Sequence, residues 1–126
     1  MDKSQIIFSM EKTYSLDWFS YLSKDDILEI EKDINRGLTH SVRITKNEID
    51  TFEAIIDTFP HKIHIREVGG NFPKDIKWLE VYCSALAKFL NVKLLTVKST
   101  RKGVSKLAEK LDFIFNDTTQ EFEKVL

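Results

Sequence analysis

The chain has 126 residues, 42% of them hydrophobic with nine Phe, two Trp and three Tyr, and 31% charged. That is enough apolar surface for one packed domain without a disulfide or metal staple, so a single domain over 1–126 is expected. A formal net charge of -1 excludes a molecule-wide field for nucleic acid or anionic membrane, and the lone Cys83 excludes an internal disulfide.

Within that balance the charges segregate. From Glu11 to Asp57 acids outnumber bases, whereas Lys93, Lys98, Arg101, Lys102, Lys106 and Lys110 face only Glu109 in their stretch. No apolar run approaches the length of a transmembrane helix, and the apolar run in MDKSQIIFSMEK is too short for a signal peptide. The expectation is a cytoplasmic protein in a reducing compartment.

Gln5 to Met10 reads as a short apolar strand. Leu16, Trp18, Phe19 and Leu22 suggest an apolar turn or short helix. From Lys24 to Arg36 a helix is predicted, because Ser23 with Asp26 resembles a capping box, Ile27, Ile30 and Ile34 recur at helical spacing, and Gly37 follows. Leu38, His40, Val42 and Ile44 alternate with polar neighbours as in a half-buried strand. The next segment has two readings. Thr45 and Glu48 with Ile49, Phe52, Ile55, Ile56 and Phe59 fit a capped helix, while the β-branched and aromatic content of Thr51 to Phe59 fits a strand after a hairpin turn.

His61 to Val68 reads as a strand running into Gly69-Gly70. A long helix follows from about Lys74 to Leu90, with Pro73 in its first turn and Trp78, Leu79, Tyr82, Ala85, Leu86, Phe89 and Leu90 as its stripe. Val92 to Val97 is a strand, Lys102 to Leu111 a basic amphipathic helix, and Phe113 to Phe115 another strand; that order implies a parallel pair. Asn116 to Thr119 turn the chain into a closing strand around Phe122 and Val125.

The order from His61 onward resembles the GNAT superfamily of N-acetyltransferases, and most of all the small acetyltransferase-like proteins of tailed phages. The residues that carry the likeness are Pro60-His61-Lys62, Val68-Gly69-Gly70, Arg101-Lys102-Gly103, Leu111-Asp112-Phe113 and Glu123-Lys124-Val125-Leu126. The resemblance implies an α/β fold with a mixed sheet of about six or seven strands, a central parallel pair and helices on both faces. It also tips Asp50 to Phe59 toward a strand.

As activity it implies acetyl-CoA-dependent N-acetylation, with the cofactor along Val68, Gly69, Gly70, Asn71, Lys74, Arg101 and Lys102. Glu67, at the end of the central strand, is the candidate general base, since an amine must lose a proton before it attacks. A solvated carboxylate or a partner of Arg66 or Lys62 is the plainer reading of Glu67.

Two departures from the family pattern bear on activity. Where such enzymes hold pyrophosphate on a glycine-rich helix start, this chain has Asn71-Phe72-Pro73-Lys74-Asp75, with a proline lacking an N–H and an added acid. Where many carry a general-acid Tyr, this chain has Ala108, and the usual Gly before Phe113 is Asp112. No metal site is expected from His40, His61, His64 and Cys83. Cys83 and Tyr82 read as packing residues. The acceptor is expected to be a small-molecule or protein amine. A catalytically inactive interaction protein, as a virion component or an inhibitor of a host protein, is the alternative. Nucleic-acid binding through Lys98, Arg101, Lys102 and Lys106 comes third.

Overall fold

A computed structural model describes residues 6–11, 19, 22–46, 49–70, 77–98 and 102–126. The elements are β1 (Ile6–Glu11), α1 (Lys24–Asn35), β2 (Thr39–Lys46), β3 (Ile49–Thr58), β4 (Ile63–Gly70), α2 (Lys77–Leu90), β5 (Leu94–Val97), α3 (Lys102–Lys110), β6 (Ile114–Asn116) and β7 (Glu121–Val125). The strands form one seven-stranded sheet in the order β1-β2-β3-β4-β5-β7-β6.

Helix α1 starts as its sequence dictates. Ser23 Oγ accepts from the Asp26 N–H, and Asp26 reaches back to the Ser23 N–H, which satisfies two donors that the first turn leaves open. It ends at Gly37, whose φ of 79° lets the chain reverse so that the N–H groups of Gly37 and Leu38 bond the Ile34 and Asp33 carbonyls.

The segment with two readings is a strand. Over β3 the residues Phe52, Ala54 and Ile56 pair with Ile44, Val42 and His40 of β2, and the period of two places Ala54 and Ile56 in the core. The alternate position Ile55 is buried on the opposite face, against Phe19 and Ile30. The predicted parallel pair exists, but in another place. It joins β4 to β5, with α2 as crossover. Strand β7 inserts antiparallel between β5 and β6, so the two strands flanking α3 are not neighbours.

The sheet has two unlike faces. One carries Val42, Ile44, Ala54, Ile56, Ile63 and Ile65 against Leu79, Cys83 and Ala87 of α2 and Ala108 of α3, the main core. The other carries a small apolar cluster of Phe19, Ile30 and Ile55, and beside it a polar row. In that row Thr39 donates to Asp57, Ser41 donates to Glu53, and Arg43 Nη2 lies 3.3 Å from Glu53 Oε2. Arg66 Nη1 lies 2.8 Å from Asp33 of α1 and 3.6 Å from Asp57, so one guanidinium ties the helix to two strands.

Candidate functional site

Strands β4 and β5 pair only over Ile63–Ile65 and Leu95–Val97. Beyond Ile65, β4 continues to Gly70 with β3 along its other edge, while β5 stops at Val97. The edge of β4 from Arg66 to Gly70 is therefore released from its parallel neighbour, and a split opens in the middle of the sheet. At its root β4 carries a bulge. Ile55 opposes Glu67 and Ile56 opposes Ile65, which leaves Arg66 as the extra residue.

The split divides two chemistries. On the α2/α3 side lies an apolar recess of about 30 Å³, lined by Ile65, Val68, Leu79, Val97, Val104 and Ala108 among others. That volume has room for about two water-sized groups, and its lining suits a hydrocarbon or thioester rather than a charge. On the α1 side the side chains are polar: His64, Arg66, Asp57, Thr96 and Glu121.

Four of the sequence-predicted residues fall together along the released edge. Glu67 is half-buried opposite Ile55, Val68 is buried and lines the recess, Gly69 is buried opposite Glu53, and Gly70 ends the strand opposite Phe52. Lys102 is the first residue of α3. Asn71, Lys74 and Arg101 lie outside the described residues, as do Phe72, Pro73 and Asp75.

The two departures near α3 have structural reasons. Asp112 has φ 67°, and the next N–H, that of Phe113, bonds the Ala108 carbonyl at 3.0 Å, closing the helix. Glycine adopts that conformation freely and aspartate tolerates it, so the exchange preserves the turn. Ala108 is only 5% exposed and lines the recess. A tyrosine ring there exceeds the space, so Ala108→Tyr is expected to lose about 1–3 kcal/mol of stability, read as a lower urea midpoint, with no gain in activity.

The other candidates divide into packing residues and exposed ones. Cys83 is fully buried and its thiol is pushed up to about 12 by desolvation and then by the charge of Glu80, which leaves no thiolate near neutrality. Tyr82 packs half-buried against the main core. His61 is exposed beside the Phe59 ring. His40 is part-buried, and burial lowers its affinity for a proton while Asp57 partly opposes that. Lys98 and Lys106 are exposed. Among the described residues no three His, Cys, Asp or Glu gather as metal ligands, and no helix is long and apolar enough to cross a membrane.

The sequence reading passed over Glu53, Asp57, Thr96 and Glu121, which the sheet gathers on its polar side. Acids alternating with apolar residues on a strand carry the ordinary signature of a wet face. Only the register between distant strands reveals that these are buried or half-buried.

No family model matches the sequence, and no curated protein matches it. Solved structures do. An acetyltransferase of Bacillus subtilis in complex with CoA is similar with a TM-score of 0.67 and 10% identity, over 97% of this chain and 99% of that one. The PaiA N-acetyltransferase of Thermoplasma acidophilum in complex with coenzyme A matches at 0.61 and 11% identity, over 95% and 99%. AtaT complexed with acetyl-methionyl-tRNAfMet matches at 0.63 and 6% identity, over 96% and 95%. At such identities the likeness is one of architecture. From β1 to β7 the chain has the fold of the GNAT acetyltransferases.

Proposed function

We propose that this protein is an acetyl-CoA-dependent N-acetyltransferase that acts on a small-molecule or macromolecule-borne amine. The observation that carries the reading is the early end of the β4–β5 pairing, with an apolar recess on one side of the split and a polar face on the other. Acetyl transfer from a thioester to an amine needs that division: an apolar lining for the acyl arm, polar groups for the amine, and a backbone edge that holds both in line. Strand β4 supplies that edge through Val68, Gly69 and Gly70. Glu67, on the same strand, is proposed to orient the attacking amine.

Acetyl-CoA, when bound, supplies the activated acyl group. Lys74, Arg101 and Lys102 are the residues proposed to face its phosphates, since in sequence Lys74 lies in the segment leading into α2, Arg101 directly precedes α3 and Lys102 opens it. The likeness of Arg101-Lys102-Gly103 and Leu111-Asp112-Phe113 to small tailed-phage proteins supports an origin in a phage or other mobile element, and thus work in the cytoplasm of a bacterial host. The neighbour solved with acetyl-methionyl-tRNAfMet keeps macromolecule-borne amines among the acceptors.

Calorimetry with acetyl-CoA tests the reading. Saturable binding in the micromolar range, about -8 kcal/mol, is expected. Glu67→Gln is expected to leave that affinity unchanged and to lower turnover by about 10²-fold or more. Absence of binding heat rejects the proposal.

A second reading keeps the fold and drops the reaction, making the protein an interaction partner of a host or virion protein. The small recess favours it, since about 30 Å³ must widen before an acyl arm enters. One stoichiometric partner captured from bacterial lysate, together with no acetyl-CoA binding, is its expected signature.

A further inference from the structure

At the root of the split, on the polar side, three strands bring three polar side chains together. His64 comes from β4, Thr96 from the register position opposite it on β5, and Glu121 from the first position of β7. His64 Nδ1 lies 2.7 Å from Thr96 Oγ1 and 3.5 Å from Glu121 Oε2. That Oε2 is buried and makes no hydrogen bond, while Oε1 lies 3.8 Å from Lys62 Nζ.

A carboxylate oxygen and a hydroxyl oxygen on the same side of the ring favour the tautomer with its hydrogen on Nδ1. Nε2 then holds the lone pair, and the carboxylate stabilises the ring once it is protonated. Burial lowers the proton affinity of His64, Glu121 of β7 and Asp57 of β3 raise it, and Lys62, just before β4, and Arg66 of β4 lower it again. Thr96 of β5 is neutral, and Asp33 of α1 is bonded to Arg66. The imidazole is therefore uncharged at pH 7 and able to accept a proton.

His64 stands one residue before Ile65, where the parallel pairing ends, and on the face opposite the apolar recess. We infer that His64, held by Thr96 and Glu121, is the proton acceptor for the incoming amine. This rests on the acetyltransferase reading. The acceptor ammonium gives one proton to His64 Nε2, and its freed lone pair forms the N–C bond at the thioester carbonyl. Collapse breaks the C–S bond, and a second nitrogen proton passes to the departing thiolate. The products are the amide and the CoA thiol, and the imidazolium returns its proton to solvent. Glu67, further along the same strand, then orients the amine rather than taking its proton.

Two measurements test the inference. The first is carbethoxylation of the intact protein by diethyl pyrocarbonate, mapped by mass spectrometry against pH. His64 is expected to react with a midpoint below 6.5, and Glu121→Gln is expected to move that midpoint lower, because the charge that favours the imidazolium is gone. Exposed His61 is the internal control. A His64 that stays unmodified while His61 reacts, or a midpoint that Glu121→Gln leaves in place, overturns the inference.

The second measurement is thiol release from acetyl-CoA with benzylamine and poly-lysine as probe amines. His64→Gln is expected to slow release by about 10²-fold at pH 7 and to erase the fall in kcat/KM on the acid side, while acetyl-CoA still binds. Unchanged rates overturn it, as does an acid limb that survives in His64→Gln and vanishes in Glu67→Gln. Failure of the wild type to bind acetyl-CoA in calorimetry removes the transferase reading itself, and this inference with it. Normal binding with an inert His64 removes the inference alone.

Discussion

Arg66→Ala is expected to destabilise the protein by about 3 kcal/mol, the lower end of what breaking a buried ion pair costs. A domain of this size holds roughly 5–15 kcal/mol in total, so the thermal midpoint should fall by roughly 10 °C. The guanidinium is 20% exposed and sits between two carboxylates, Asp33 Oδ2 at 2.8 Å and Asp57 Oδ1 at 3.6 Å. Burial works against its charge, but the hydrogen bond to Asp33 and the charges of Asp57, Asp33 and Glu29 outweigh burial and raise its pKa further. The cation is held across the ordinary pH range.

Its removal leaves two aspartates facing the same empty place, so like charges add to the lost bonds. Arg66→Lys should recover only part of the loss, because a single ammonium cannot reproduce the planar fork. Asp57→Asn added to Arg66→Ala should recover some of it by removing one of the two charges. Circular dichroism during urea unfolding reads all three. An Arg66→Ala midpoint within error of wild type would mean that the α1-to-sheet contact is carried by Phe19, Ile30 and Ile55 alone.

Glu53→Ala is expected to have a similar effect, about 3 kcal/mol. Its side chain is fully buried, it accepts the Ser41 hydroxyl, and Arg43 Nη2 lies 3.3 Å away. Truncation leaves a hydroxyl and a cation oriented toward a carboxylate that is gone. Glu53→Gln keeps the acceptor oxygen and the volume, so its loss should be smaller. Replacing all three groups by apolar residues of like size should recover most of the stability, because a whole network can be exchanged where a half cannot. A triple variant no more stable than Glu53→Ala contradicts this account of the polar row. Double-mutant cycles at Arg43 and Glu53 give the coupling directly.

Local signals made much of the fold legible. The Ser23–Asp26 capping box and Gly37 bound α1, and the Asn116 side chain accepts from the Thr118 and Thr119 N–H groups in the turn before β7; the predicted α2 stripe holds for Trp78, Leu79, Tyr82 and Leu86, whereas Ala85, Phe89 and Leu90 are exposed and Cys83 and Ala87 complete the buried side. Each is written within a few residues and depends on nothing distant. β3 stood at the edge of legibility, since its apolar residues fit either period. Pairing with β2 and β4 on both sides decided it, through contacts that no window of one segment contains.

The place of β7 was illegible for the same reason. A strand that ends the chain can join the sheet at an edge or between two earlier strands, and the choice depends on how Phe122 and Val97 face one core.

The site was legible in part. Val68-Gly69-Gly70 announced the end of the central strand, and Glu67 came with it. His64 was visible as a titratable residue on that strand, but its partners come from positions 96 and 121, and register alone unites them. Ala108 and Asp112 looked like lost functional residues. Their burial and positive φ, respectively, make them fitted to a packed helix end.

The claim on which the rest stands is that the gap after Ile65 and Val97 receives the acyl arm of acetyl-CoA. Amide hydrogen exchange with and without acetyl-CoA tests it most directly. The account predicts slowed exchange in β4 from Arg66 to Gly70 and in α3 from Lys102 to Lys110, with β1, β2 and α1 unchanged. Protection confined to other elements, or no change anywhere at saturating acetyl-CoA, would contradict it.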